Sequence, residues 1–113
     1  LPIYRAFQMG CHAILMPSSP GPAFKVGEKT TDPLALYMED VYTVGVNLAG
    51  LPAVTLPGGM TSVHNDAGRE SRLPIGVQLI GQPFEEPGLL RLARMLEREL
   101  SLAGRVAPGF ENS

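Results

Sequence analysis

The run IGVQLIG, Ile75 to Gly81, constrains the fold of this 113-residue chain more than any other stretch. Its apolar residues do not alternate strictly with polar ones, so a strand here is apolar on both sides and needs cover above and below. Two other short runs read as strands. HAILM, His12 to Met16, is stopped by Pro17 and Pro20; Ala53 to Leu56 is entered through Leu51-Pro52 and ended by Pro57-Gly58-Gly59. The segment from Thr61 to Arg72 is polar and contains glycine, and reads as an exposed, mobile loop. Three short strands of this kind call for an α/β fold, with helices on the faces of a sheet.

The helices on offer are three or four. Arg5 to Gly10 reads as a helix tail closed by Gly10. Asp32-Pro33 opens a helix, with an N-cap acceptor followed by proline at the first helical position. That helix carries Leu34, Leu36, Tyr37 and Met38 and then weakens, because Gly45 lowers helix propensity. The expectation is two short helices meeting near Asp40 to Thr43, the second ending at Gly50, with N–H groups left free at the junction. Glu85 to Leu100 is the clearest helix: Leu89, Leu92, Ala93, Leu96 and Leu100 form an apolar stripe, and Arg91, Arg94 and Arg98 line a solvated face with Glu97 and Glu99. The tail from Ser101 to Ser113 reads as frayed.

One good amphipathic helix and two short ones leave a sheet face uncovered. At ~25 cal/mol per Å² of apolar surface, a few hundred Å² of bare sheet forgoes several kcal/mol, comparable with the whole stability of a small domain. The missing cover is expected from elsewhere in a longer polypeptide or from a partner. The opening LPIYRAFQMG, without a starting Met, fits that expectation, since it looks like a helix already under way.

Composition narrows the classes further. Hydrophobic residues make up 44% and charged ones 18%, which is globular rather than disordered. The net charge of −2, without a basic run, argues against a nucleic-acid or anionic-membrane surface on this segment. A single cysteine excludes an internal disulfide and suits a reducing cytosol, so a cytoplasmic protein is expected. No signal-like head is present, and no stretch approaches the roughly 20 apolar residues of a membrane span.

For chemistry, Asp40, Thr43 and Asn47 stand out. Their offsets of three and seven put three polar groups on one face if the segment is helical, within an otherwise apolar stretch. A pocket for a small molecule needs such groups in an apolar wall. The residues alone leave a second reading open, in which Thr43 and Asn47 bond local backbone and Asp40 is solvated. Ser18 and Ser19 lack a neighbouring base and a nucleophile elbow, and read as loop polarity in a surface loop from Ser18 to Thr31. Cys11 and His12 read as structural, and His64 has no companion for a metal site.

The ordered string Asp-x-x-Thr-x-x-x-Asn-Leu-Ala-Gly-Leu-Pro from Asp40 sits inside GEKTTDPLALYMEDVYTVGVNLAGLPAVTLPGG, and LPIGVQLIGQPFEEPGLLRLARMLE follows it. Together they closely resemble the C-terminal part of the amidase signature family, in its branch of tRNA-dependent amidotransferase subunits. The resemblance runs from about Phe7 to about Leu100. It implies that residues 1–113 are the C-terminal segment of a single amidase domain, a mixed β-sheet covered by helices. Family members usually carry Asp where His12 stands, a departure that touches no expected catalytic role.

The family's catalytic Ser–Ser–Lys set lies in a Gly/Ser-rich signature that this chain does not contain, so no catalytic residue carries over. Substrate binding does. The resemblance implies that Asp40 holds the α-amino group of glutamine, with Thr43 and Asn47 in support. It further implies an enzyme that hydrolyses glutamine and passes ammonia to a B-type partner, which amidates glutamate or aspartate misacylated on tRNA using ATP and Mg²⁺. A small C-type subunit would help hold the assembly together, and charged tRNA would be met through the complex. Two rivals remain open from the residues: a stand-alone amidase of the same family, and a non-catalytic structural or interaction module.

Overall fold

The computed structural model describes residues 2–28, 31–64, 68–102 and 104–105. The elements among them are α1 (Pro2–Gln8), β1 (Ala13–Pro17), α2 (Pro33–Met38), α3 (Val44–Ala49), β2 (Ala53–His64), β3 (Glu70–Gly81) and α4 (Glu86–Leu100). The strands form one sheet in the order β1-β3-β2, with both pairings antiparallel. The α/β class is as expected. Within the described residues the sheet is purely antiparallel rather than mixed.

Local chemistry sets the helix ends. Asp32 caps α2 through its side chain, accepting from the amides of Leu34 at 2.9 Å and Ala35 at 3.2 Å, and Pro33 follows as the first helical residue. After α1 the chain reverses at Gly10, whose φ of 92° suits a residue without Cβ. The Cys11 amide then bonds back to the Ala6 carbonyl at 3.2 Å and the Gly10 amide to Phe7 at 3.1 Å. Gly50 closes α3 in the same way: its own amide bonds Asn47, the Leu51 amide bonds Val46, and Val46 and Leu51 are packed together in the core.

β2 and β3 are each 12 residues long, so they extend well past the short strands expected from the sequence. Thr61 to His64 and Glu70 to Arg72, expected as loop, are paired instead, up to the His64–Glu70 pair. Two features make the extension possible. The Pro57-Gly58-Gly59 stretch is absorbed as an irregularity between Pro57 and Gly59 and does not end the strand. Beyond it, Thr61 and Val63 are β-branched, and Ser62 donates to the Glu70 carboxylate across the ladder at 2.6 Å.

The sheet has two packed faces. Leu79 and Ile80 are neighbours on β3 and point to opposite sides. Ile80 lies with Val46, Ala49 and Leu51, and Ile3, Tyr4 and Phe7 of α1 pack against that cluster. Leu79 lies with Leu89 and Ala93 of α4, backed by Val54 and Leu56. The expected bare face is thus only partly found at this end of the sheet: α1 and α3 pack over one side and α4 over the β2–β3 part of the other, while Leu15 of β1, paired with Leu79 on the α4 side, stays exposed. α2 is uncovered along its whole length, burying none of its residues, and Leu48 of α3 and Met95 of α4 are also exposed. Ser101 ends α4 with φ 52°, and most of the tail expected to fray lies outside the described residues.

Gly58 offers a direct test of the bulge. A Cβ there would stand 2.6 Å from Cγ1 of Val77, a β-branched side chain with little freedom to turn away. Gly58→Ala is expected to destabilise the hairpin by about 1–3 kcal/mol. Amide exchange across the β2–β3 pairs, measured in dilute solution, should quicken accordingly. Gly45→Ala, where the new methyl meets nothing within 4 Å, should slow exchange in α3 instead.

Candidate functional site

The α2–α3 junction carries the candidate residues. Asp40 lies in the turn between the two helices, Thr43 is the N-cap residue of α3, and Asn47 sits within α3. They do not share one continuous helix face, as their spacing allowed. The turn is closed by its own backbone. The carbonyl of Asp40 accepts from the amides of Thr43 at 3.0 Å and Val44 at 2.9 Å, and from the Thr43 hydroxyl at 3.2 Å. The carbonyl of Thr43 accepts in turn from the amides of Val46 and Asn47 and from the Asn47 side-chain amide at 3.2 Å. The free N–H groups expected at this helix start are largely used up, because the junction winds into consecutive turns.

These bonds assign the polar groups different tasks. Thr43 and Asn47 each spend a side-chain donor on local backbone, the local role that their residue types left open. The carboxylate of Asp40 makes no hydrogen bond or ion pair among the described residues, and it is exposed. Its backbone is held, and its charge is unspent among the described residues. That combination is what a carboxylate needs in order to accept an ammonium without first breaking another contact.

An open groove of about 570 Å³ lies next to the junction, between the loop of residues 20–28 and the outer hairpin, with Pro22, Phe24, Glu39, Val63, His64 and Leu73 among its walls. Asp40, one residue past Glu39, is not part of its lining. His64 sits at the end of β2, and among the described residues no three His, Cys, Asp or Glu side chains gather closely enough to hold a metal ion. Ser19 donates its hydroxyl to the Gly21 carbonyl at 2.8 Å, while the backbone amide of Ser18 pairs with the Gly76 carbonyl at 3.1 Å. The Cys11 thiol lies 2.9 Å from the Ala13 carbonyl. On α4, Arg94 pairs with Glu97, consistent with a solvated charged face.

Gln78 escapes a reading by motif. It is 2% exposed, in the last third of β3, and its side-chain amide donates to the carbonyls of Tyr42 at 2.8 Å and Pro17 at 3.3 Å. The signal that could have found it is a lone amide inside an apolar strand buried on both faces, since such a group must find partners.

Comparison with known proteins adds the relationship that geometry alone does not supply. The amidase family model matches residues 2–90. The A-type subunit of the glutamyl-tRNA(Gln) amidotransferase of Myxococcus xanthus is 50% identical over 104 residues, covering 92% of this chain and 20% of the relative. The corresponding protein of Geobacter metallireducens is 54% identical over 86 residues, covering 76% of this chain and 16% of the relative. That of Thermodesulfovibrio yellowstonii is 48% identical over 85 residues, covering 75% and 16%. The chain thus spans a fifth or less of the length of these curated relatives. With most of its length matched by the family model, and by relatives at about half identity, the chain belongs to the amidase family.

Proposed function

We propose that this chain is the C-terminal segment of a glutamine-hydrolysing amidase subunit of a tRNA-dependent amidotransferase, and that Asp40 binds the substrate's α-amino group. The observation that carries the reading is an exposed carboxylate, without a hydrogen bond or ion pair among the described residues, on a turn whose backbone is fixed by several hydrogen bonds, in a sequence half identical to A-type subunits. An ammonium ion placed on that carboxylate forms a charge-assisted bond that a plain amide substrate cannot make. Thr43 and Asn47 support it by fixing the turn. The nucleophile and its base come from the rest of the amidase domain, and this segment supplies part of the substrate pocket.

On this reading the ammonia released from glutamine passes to a B-type subunit, which uses ATP and Mg²⁺ to convert Glu-tRNA(Gln) to Gln-tRNA(Gln), or Asp-tRNA(Asn) to its amide. A C-type subunit joins the assembly, and the whole works in the cytoplasm. No helix among the described residues is long and apolar enough to cross a membrane. The test is to place this sequence in the matched region of the Myxococcus xanthus protein, assemble it with its partner subunits, and assay glutamine hydrolysis with and without charged tRNA. Glutamine hydrolysis that rises with charged tRNA is the expected result. Hydrolysis of simple amides at the expense of glutamine would favour a stand-alone amidase.

A further inference from the structure

We propose that Gln78 is a positioning residue, which ties the turn bearing Asp40 to the centre of the sheet and sets where that carboxylate stands. The proposal rests on the amine-binding reading of Asp40. Among the described residues Gln78 is the one polar side chain buried in the core, at 2% exposure, and nothing about strand formation calls for an amide there. Buried without partners, such an amide would be strongly disfavoured, because it gives up its hydrogen bonds to water and gains none. Its side-chain N–H groups are instead spent, and on places far apart in the chain. One bond reaches the Tyr42 carbonyl, 36 residues away, and the other the Pro17 carbonyl at the end of β1, 61 residues away.

The position of the first bond matters. Tyr42 is two residues past Asp40, within the same turn. On the downstream side the turn is anchored by Val46 and Ala49 in the core, but on the upstream side α2 contributes no buried residue. A hydrogen bond from the core to Tyr42 therefore constrains the turn where helix packing does not. Cross-strand neighbours Met16 and Thr55 flank Gln78, and so a side chain of equal length would fill the space without reproducing the bond. Gln78→Met is that substitution, since it keeps the reach and loses both donors.

The experiment uses the Myxococcus xanthus protein carrying this sequence in its matched region, assembled with its partners, and compares Gln78→Met and Asp40→Ala with the parent. Amide exchange is read at Thr43 and Val44, whose N–H groups close the turn on the Asp40 carbonyl. It is also read along β2 opposite residues 77–80 of β3. With Gln78→Met, exchange at the turn is expected to quicken tenfold or more while β2 changes less than threefold. KM for glutamine should rise about tenfold with kcat within a factor of three. Unchanged exchange at Thr43 and Val44 overturns the proposal. A parallel rise in both segments also overturns it, because that is the mark of general destabilisation. A loosened turn with unchanged KM, in a background where Asp40→Ala strongly impairs glutamine use, rejects the positioning role and leaves the amine reading standing. An Asp40→Ala variant with parental KM removes the amine reading and this proposal with it.

Discussion

Asp40→Ala, placed in the assembled enzyme, is expected to lower kcat/KM for glutamine by one to two orders of magnitude while leaving the melting temperature of the protein nearly unchanged. The two halves of that result come from different observations. A charge-assisted hydrogen bond contributes about 1.5–3 kcal/mol, and each 1.4 kcal/mol is a factor of ten. The Asp40 carboxylate is exposed and makes no hydrogen bond or ion pair among the described residues, so its removal breaks no internal bond and opens no cavity. The structural work at this position is done by the Asp40 carbonyl, which any residue supplies. Asp40→Asn should behave like the alanine variant toward glutamine, because the amide keeps the shape and loses the charge. Steady-state glutaminase kinetics alongside a thermal melt check both expectations. Equal rates for mutant and parent would show that the acid is only a solvated surface group.

The parts of the fold that can be read from the sequence are those dictated by local chemistry. Asp32-Pro33 announces a helix start because the capping oxygen and the preset φ of proline act within three residues. Gly10 and Gly50 announce helix ends because a positive φ excludes most other residues, and both are found there, at φ 92° and 64°. The lengths of β2 and β3 are not legible in the same way. A Pro-Gly-Gly run ordinarily punctuates a strand, and only the pairing partner decides whether the extra residue is taken up as a bulge. The cover on the sheet escapes for a related reason. Two short helices and the Leu51 turn together make one apolar surface over Ile80, and that sum cannot be seen in any of them alone.

The candidate site is legible as a place but not as an arrangement. The spacing of Asp40, Thr43 and Asn47 points to the right junction. Spacing on an ideal helix does not foresee that the chain breaks into turns, so that Thr43 and Asn47 face the backbone while the acid faces water. Gln78 stands out in the sequence only as a lone amide in an apolar strand, and its partners are not legible there, since they are carbonyls distant in the chain. Those carbonyls are 36 and 61 residues away.

The isolated 113-residue chain is expected to bind an apolar reporter dye and to self-associate, with a broad melt that shifts with protein concentration. The cause is α2. Leu34, Leu36, Tyr37 and Met38 are 68%, 49%, 60% and 47% exposed, side by side on one short helix with no buried residue. Fully burying a large apolar side chain contributes about 1.5–3 kcal/mol, so covering the exposed half of these four would add roughly 3–6 kcal/mol. That is comparable with the entire stability of a small domain, typically about 5–15 kcal/mol. Phe84 adds to the exposed surface, held 92% open to solvent at φ 64°, a conformation that costs a bulky residue. Within the full assembly the same α2 residues should be protected, and the paired changes Leu34→Lys and Tyr37→Glu should reduce dye binding by the free chain while weakening the assembled one. Sedimentation and dye titration at several concentrations measure the first effect, and the melting temperature of the assembly measures the second. A monomeric, dye-free chain with a sharp two-state melt would identify a self-sufficient module, and α2 would then be a helix that solvates its apolar face at no cost to the fold.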